Sequence, residues 1–353
     1  MFLVSQLLLG CGNDHATAQT TSTPPIASTA APAITASASS PAPACASGFR
    51  CEGNTLFRCA PAGDEKVRAC YDIERCDAQK GSCEPACPEH EVYIPATGPG
   101  GFTMGTGQES FGFGSRASHN AGTGRADTPH KVILTRPFCM DENEVTARQY
   151  EACVNDKGCK IPKISDQWLT YQRKLDMPEN MVDWHRGKYY CEQYGKSLPT
   201  EAQWEWAATG GDGRKWPWGN EEPTCDHADF TMGNLVSPGG DSGCHGGGPS
   251  NVGTHPKGDR IWPTGPIHDL AGNVWEWCLD SYSPYPAEEQ TDPLPLNPMT
   301  PNHVVRGGGW NRSNRGIMST FRGAAISTYT VPGLGFRCVR NPGDAKEGTP
   351  ARP

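Results

Sequence analysis

Apolar and polar positions alternate through Val274-Trp275-Glu276-Trp277, so a strand there carries Val274 and Glu276 on one face and Trp275 and Trp277 on the other. A turn, Ala271-Gly272-Asn273, leads into it. Helices are announced by their caps. Thr146 with Gln149 makes a capping box ahead of a helix reaching Cys153. Asp183 caps a helix running through Tyr194, which Gly195 stops. Thr200 with Gln203 repeats the box, and Gly210 ends that helix. The glycine runs at Gly239-Gly240, Gly246-Gly247-Gly248 and Gly307-Gly308-Gly309 lack the strand-to-helix setting of a phosphate-binding loop and read as turns. No internal repeat is visible. The apolar run Phe2–Leu9 is short, and no later run approaches the ~18 residues of a membrane helix.

Composition narrows this picture. The 353 residues allow about two domains. A net charge of -8, with no cluster of Lys and Arg, argues against a nucleic-acid partner. Gly 42 and Pro 32 are high, and all 10 Trp lie between Trp168 and Trp310, which predicts a loop-rich domain held by aromatic anchors. The 16 cysteines imply an oxidising compartment, because a reducing cytosol does not keep such a framework closed. Zinc is the alternative, but the cysteines are scattered and no Cys-x-x-Cys pair occurs.

The chain divides accordingly. Residues 1–11 end in Leu8-Leu9-Gly10-Cys11, which resembles a bacterial lipobox with Cys11 as the lipidated residue. No Lys or Arg precedes the apolar run; a start upstream of Met1 is one reading of that gap. Residues 12–44 are mostly Ala, Ser, Thr and Pro and cannot bury a core, so they predict a disordered tether spanning on the order of 30 Å. No Asp follows Cys11, which favours the outer membrane over the inner, with the lipid as the sole anchor. Residues 45–88 carry Cys45, Cys51, Cys59, Cys70, Cys76, Cys83 and Cys87 and read as a small disulfide-held module. Seven is odd, so one of them pairs elsewhere or stays free. Residues 91–341 form the large domain, and 342–353 a disordered tail.

The turn and strand at 269–277 hold the clearest candidate chemistry. One reading is a buried turn whose tryptophans fill a core. The other is a structural Ca²⁺ site, with Asp269 and Glu276 supplying hard oxygen ligands and the carbonyls of Gly272 and Val274 completing an irregular cage.

Seven stretches, in order over most of the large domain, resemble the formylglycine-generating enzyme (sulfatase-modifying factor) family. They are Gly100-Gly-Phe-Thr-Met-Gly105, Glu144-Val-Thr146 with Tyr150, Gly195-Lys-Ser-Leu-Pro-Thr-Glu-Ala-Gln-Trp-Glu-Trp206 and Trp216-Pro-Trp-Gly219. Asp269-Leu-Ala-Gly-Asn-Val-Trp-Glu-Trp277, Val305-Arg-Gly-Gly308 and Gly333-Leu-Gly-Phe-Arg-Cys338 complete the set. The resemblance implies an α+β, C-type-lectin-like fold with much irregular structure and bound Ca²⁺. It places one calcium site on Asp269, Gly272, Val274 and Glu276 and begins a second near Asp229 and Phe230. It implies a fold-closing disulfide, Cys191–Cys338, worth roughly 3 to 5 kcal/mol over so long a loop. Cys153–Cys159 and Cys225–Cys244 are the expected local pairs, which leaves Cys139–Cys278.

The departures bear on function. Family members that make formylglycine hold Cu(I) with two cysteines after the Arg-Gly-Gly motif, thiolates being the soft ligands that Cu(I) prefers. Here those positions are Arg312 and Ile317, and no cysteine lies between Cys278 and Cys338. The family's second disulfide is replaced at both ends, by Ala208 and Gly323. Copper and formylglycine synthesis are therefore not expected. The principal expectation is a non-catalytic envelope protein that binds a protein, peptide or glycan, with Trp310, Asn311 and Arg312 as its ligand surface; a tryptophan buried in the vacated site is the alternative at Trp310. The alternative function is an oxygen-dependent enzyme using iron, drawing on His185, His227, His245, His255, His268 and His303, although the spacing demonstrates no such set. A serine hydrolase lacks its Gly-x-Ser-x-Gly elbow.

Overall fold

The computed structural model describes residues 48–60, 64–107, 111–112, 127–162, 169–232, 244 and 247–343. The lipobox with Cys11, the tether, Cys45, Trp168, His245, Gly239-Gly240 and the residues after 343 lie outside that set. No helix among the described residues is long and apolar enough to cross a membrane.

The helices start where their caps sit. Helix α1 is Ala147–Lys157 and α3 is Glu201–Thr209, and both capping boxes are formed. The side chain of Asp183 accepts the Arg186 N–H at the head of α2, Trp184–Gln193. Gly158 and Gly210 close α1 and α3 in the left-handed conformation that glycine takes without a Cβ penalty.

The largest sheet has five strands, in the order Leu334–Gly335, Trp275–Ser281, Asn302–Arg306, Gly323–Ile326 and Phe111–Gly112. Alternation along Trp275–Ser281 sends its side chains into two different cores. Cys278, with Val304 of the neighbouring strand, packs among Trp204, Ala207 and Ala208 of α3. Trp275, Trp277 and Val305 pack with Tyr150 of α1 and Tyr190 of α2. The strand is buried on both faces, unlike a surface strand that alternates core and solvent. A three-stranded sheet, Val339–Arg340, Phe138–Asp141 and Glu91–Ile94, brings the last strand of the large domain beside its first. Lys196 ties this seam together by pairing with both Glu91 and Asp141. Burial alone would lower its pKa; the two carboxylates reverse that and raise it.

The cysteine-rich segment is a three-stranded sheet, Phe49–Glu52, Thr55–Arg58 and Glu65–Ala69, with a hairpin, Glu74–Asp77 and Ser82–Pro85. Cys51–Cys76 and Cys70–Cys83 staple it, and Cys59 is also in a disulfide. It belongs to one compact unit with the large domain. The Tyr93 hydroxyl donates to Glu74, and Cys87 reaches across to Cys139.

That last bridge corrects the expected Cys139–Cys278 pair. Cys139 lies opposite Tyr93 in the three-stranded sheet, next to the chain that carries Cys87, and the two Cα atoms are 5.8 Å apart. Cys278 sits in the other sheet, facing α3, and remains a buried free thiol. The odd cysteine of the N-terminal seven is therefore Cys87. The structure also joins Cys191–Cys338, Cys153–Cys159 and Cys225–Cys244. At Gly323 a Cβ would meet Val305 Cγ2 at 2.6 Å and Trp275 at 3.0 Å, so this packing leaves no room for a side chain there.

Candidate functional site

The site is built on the turn before Trp275. Asp269, Gly272 and Asn273 all have positive φ, and a Cβ on Gly272 would lie 2.3 Å from the Asp229 carbonyl oxygen. Only glycine allows that approach. The Asn273 N–H then donates to Asp229 O at 2.9 Å, and the Gly272 N–H to Gly307 O at 3.0 Å. Glu144, buried, closes the turn from the other side by accepting the Val274 N–H at 3.1 Å and Asn273 Nδ2 at 2.6 Å.

Three buried carboxylates meet there. Burial raises the pKa of Glu144 well above the ordinary value, and Asp269 and Glu276 add to the rise, with Arg337 acting against them. Asp269 accepts the Gly253 N–H at 2.7 Å, and His255 Nδ1 stands 3.6 Å from its other oxygen. Glu276 receives a two-pronged contact from Arg337 at 2.8 Å on each oxygen, and Trp204 Nε1–H donates to it at 2.8 Å. Arg337 is itself anchored on the carbonyls of Asp141, Glu142 and His268.

This geometry sorts the sequence-named ligands. Asp269, Gly272, Val274 and Glu276 all lie on this turn and strand, and the buried carboxylates gathered around it suit a cation. Glu276, however, has both oxygens on a guanidinium, which leaves Asp269 as the more available carboxylate. Asp229 is fully buried and accepts Ser250 Oγ–H at 2.7 Å; Phe230 packs in an apolar cluster with Trp216, Ala228, Ala271 and Ile317.

The loop after Arg306 forms the floor. A Cβ on Gly308 would lie 2.4 Å from Gly316 O, so the loop folds tightly under the short helix Asn314–Ile317. Ile317 is fully buried in the apolar cluster just described. Trp310 is 2% exposed and its backbone N–H donates to Asn273 O at 2.8 Å. It offers no exposed stacking face, which corrects that part of the expected ligand surface: the ring fills the interior instead. Asn311 and Arg312 are half-buried, with the Arg312 guanidinium 5.8 Å from the centre of the Trp275 ring. Burial holds Arg312 down to about 10, with Tyr329 favouring the charged form.

The histidines named for iron are dispersed. His185 and His303 flank Trp184, His227 stacks on Trp218, and His255 and His268 face Asp269 and Asp259. Among the described residues the one cluster of three donors is Cys70, Glu74 and Cys83, and its two sulfurs are bonded to each other.

Sequence reasoning missed the ion-pair network around α3. Glu201 is held by Arg322 and Arg306, Glu205 by Arg306, and Arg322 also reaches Asp127 at 2.6 Å. Burial would raise Glu201, but Arg322 and Arg306 outweigh it and bring it below its ordinary value. The signal was present, since acids at Glu201 and Glu205 on a helix that buries nearly every side need basic partners.

It also missed Glu179. This side chain is fully buried, neither carboxylate oxygen has a hydrogen-bond partner among the described residues, and burial raises its pKa well above the ordinary value. A raised carboxyl favours folding below its unfolded pKa of about 4.3, and that contribution is lost as pH rises toward the folded value. Glu179→Gln mimics the protonated form. It should stabilise the protein by about 1–3 kcal/mol at pH 7.5 and leave it nearly unchanged at pH 4, measured by urea unfolding. An equal effect at both values would contradict this reading.

Comparison with known proteins assigns the architecture. Residues 80–342 match the model of the sulfatase-modifying factor enzyme 1-like domain (FGE-sulfatase). The chain belongs to this family. The formylglycine-generating enzyme of Streptomyces coelicolor is 35% identical over 76% of this chain and 95% of its own length. The inactive C-alpha-formylglycine-generating enzyme 2 of Bos taurus is 34% identical over 61% of this chain and 81% of its own. Among solved structures, PvdO from Pseudomonas aeruginosa shares the fold with a TM-score of 0.52, at 24% identity over 72% of this chain and 95% of that one. The Asp269–Trp277 turn and the loop after Arg306 both lie within the matched residues.

Proposed function

We propose that this protein is a cell-envelope lipoprotein, anchored through Cys11 in the outer membrane, whose FGE-sulfatase domain binds a protein, peptide or glycan partner and does not make formylglycine. The observation that carries the reading is the loop after Arg306. Ile317 closes one expected thiol position within an apolar cluster, and Arg312 puts a cation at the other. A guanidinium is no Cu(I) ligand, and it repels the metal. Cys278, the free thiol among the described residues, faces α3 and not this loop. The inactive Bos taurus relative offers a precedent within the family.

Calcium in this reading is structural. Asp269 with the carbonyls of Gly272 and Val274 would hold it, and Asp229 and Phe230 would begin a second site. Bound there, Ca²⁺ supplies positive charge against the Glu144, Asp269 and Glu276 cluster. Elemental analysis of protein purified from its native compartment, without added metal or chelator, should find about one to two Ca²⁺ per chain. Stoichiometric iron would favour instead an oxygen-dependent oxidoreductase with its own ligand set, and stoichiometric copper would contradict the loss of the Cu(I) site.

A further inference from the structure

A cleft of about 670 Å³ opens away from the loop after Arg306, walled mainly by residues between Gly247 and Lys257, with Asp226 and Lys174 also on its lining. Its walls are tied down. The Val252 N–H donates to Asp176 O at 3.0 Å, the Ser250 N–H to Asn273 Oδ1 at 2.9 Å, and the Gly253 N–H to Asp269 at 2.7 Å. A Cβ on Gly258 would lie 1.7 Å from His227 O, so the short helix Pro256–Gly258 is pressed against that backbone. Lys257 of this helix pairs with Asp226 at 2.7 Å, and the Cys225–Cys244 bridge holds the segment that carries Asp226.

The lining carries donors in surplus. Gly247 and Gly248 have positive φ, and neither N–H makes a hydrogen bond among the described residues. Gly248 is buried, where an unpaired N–H is rare and costly. Asn251 is exposed, and its side-chain amide makes no hydrogen bond among the described residues. The Lys257 side chain is 66% exposed, so beyond its contact with Asp226 the ammonium keeps N–H groups for another acceptor. By formal charge, Lys174 and Lys257 against Asp226 leave this lining with one positive charge.

We propose that this cleft binds an acidic sugar of a glycan, a pyranose carrying one carboxylate. The carboxylate is matched by the Gly247 and Gly248 N–H groups and the Lys257 ammonium; Asn251 and Asp226 serve the ring hydroxyls. Size and chemistry select the class. The volume falls within the range of about 300–1,000 Å³ that holds a small organic ligand, and a lone ion would leave most of it empty. No Trp, Tyr or Arg lines the cleft, and these are the side chains on which protein partners anchor. Hydroxyl groups both donate and accept, and Lys257, Asp226 and Asn251 offer both functions on one wall. The proposal rests on the binding reading above for the class of partner, but none of its residues lies on the loop after Arg306.

Sodium glucuronate is the probe. Backbone amide resonances of the full chain are followed by NMR as it replaces sodium chloride at constant ionic strength, with glucose and sodium sulfate as controls. Saturable shifts at Gly247 and Gly248 are expected, with half-saturation on the order of 1–10 mM. Lys257→Met should weaken binding about tenfold and Asn251→Ala about threefold, each by loss of a hydrogen bond. Both side chains are exposed, so neither change threatens the fold. No saturable shift with glucuronate, or a shift that both variants leave unaltered, overturns the site. Glucose binding as tightly would overturn the role of the carboxylate, and sulfate binding as tightly would mean an inorganic-anion site and overturn the sugar. Each of these results leaves the loss of formylglycine synthesis standing, whereas formylglycine formation by the same preparation would overturn that loss and not this cleft.

Discussion

Arg337→Met should destabilise the domain by about 4 kcal/mol, a large share of a typical folding free energy of about 5–15 kcal/mol. Arg337 and Glu276 are each fully buried, and their two parallel contacts of 2.8 Å sit where water cannot replace either partner. Removing the guanidinium strands the Glu276 carboxylate beside Glu144 and Asp269, both acidic, so the loss exceeds that of a surface pair. It also frees the carbonyls of Asp141, Glu142 and His268, through which Arg337 ties the end of the chain to the Asp269 turn. Arg337→Lys should rescue little, because a single ammonium cannot make the two-pronged contact. Thermal unfolding should show a fall on the order of 10 °C. A fall below about 2 °C would mean that the turn is held by something other than this pair.

Much of this arrangement was legible in the chain. The capping boxes at Thr146 and Thr200 and the Asp183 cap fixed three helix starts, since a cap acts locally and needs no tertiary context. The period-2 alternation from Val274 to Trp277 gave the central strand, but not its double burial: alternation separates two faces without saying that both lie inside. The Cys87–Cys139 bridge was beyond reach, because pairing depends on which strand end meets which, and Cys139 and Cys278 differ only in the sheet that holds them. Arg306, Arg322 and Arg337 stood in plain view as charged residues in apolar surroundings. Their partners lie 61 to 195 residues away, so charge type was readable and pairing was not. At the site, the absence of cysteines at 312 and 317 was visible at once. The burial of Trp310 required coordinates.

The loss of the thiols is the central claim, and it carries the largest expected effect on activity. On the proposed reading, a floor offering an isoleucine methyl and a guanidinium where Cu(I) would need thiolates removes the metal, not merely a fraction of its efficiency. Among the described residues the free thiol, Cys278, is buried against α3, and burial pushes it well above the ordinary range, away from the thiolate that copper requires. Residual activity from a shifted cysteine would need Cys278 to leave its core, at the cost of unfolding the central strand.

The direct measurement is incubation of the purified protein, supplied with Cu(I), O₂ and reductant, with a cysteine-containing sulfatase-motif peptide. Aldehyde is then read by mass spectrometry, beside the Streptomyces coelicolor enzyme as a positive control. The account predicts aldehyde from the control and none above the no-enzyme background from this chain. Copper-dependent conversion by this chain would contradict it and show that a ligand set other than the pair replaced by Arg312 and Ile317 supports the family's reaction.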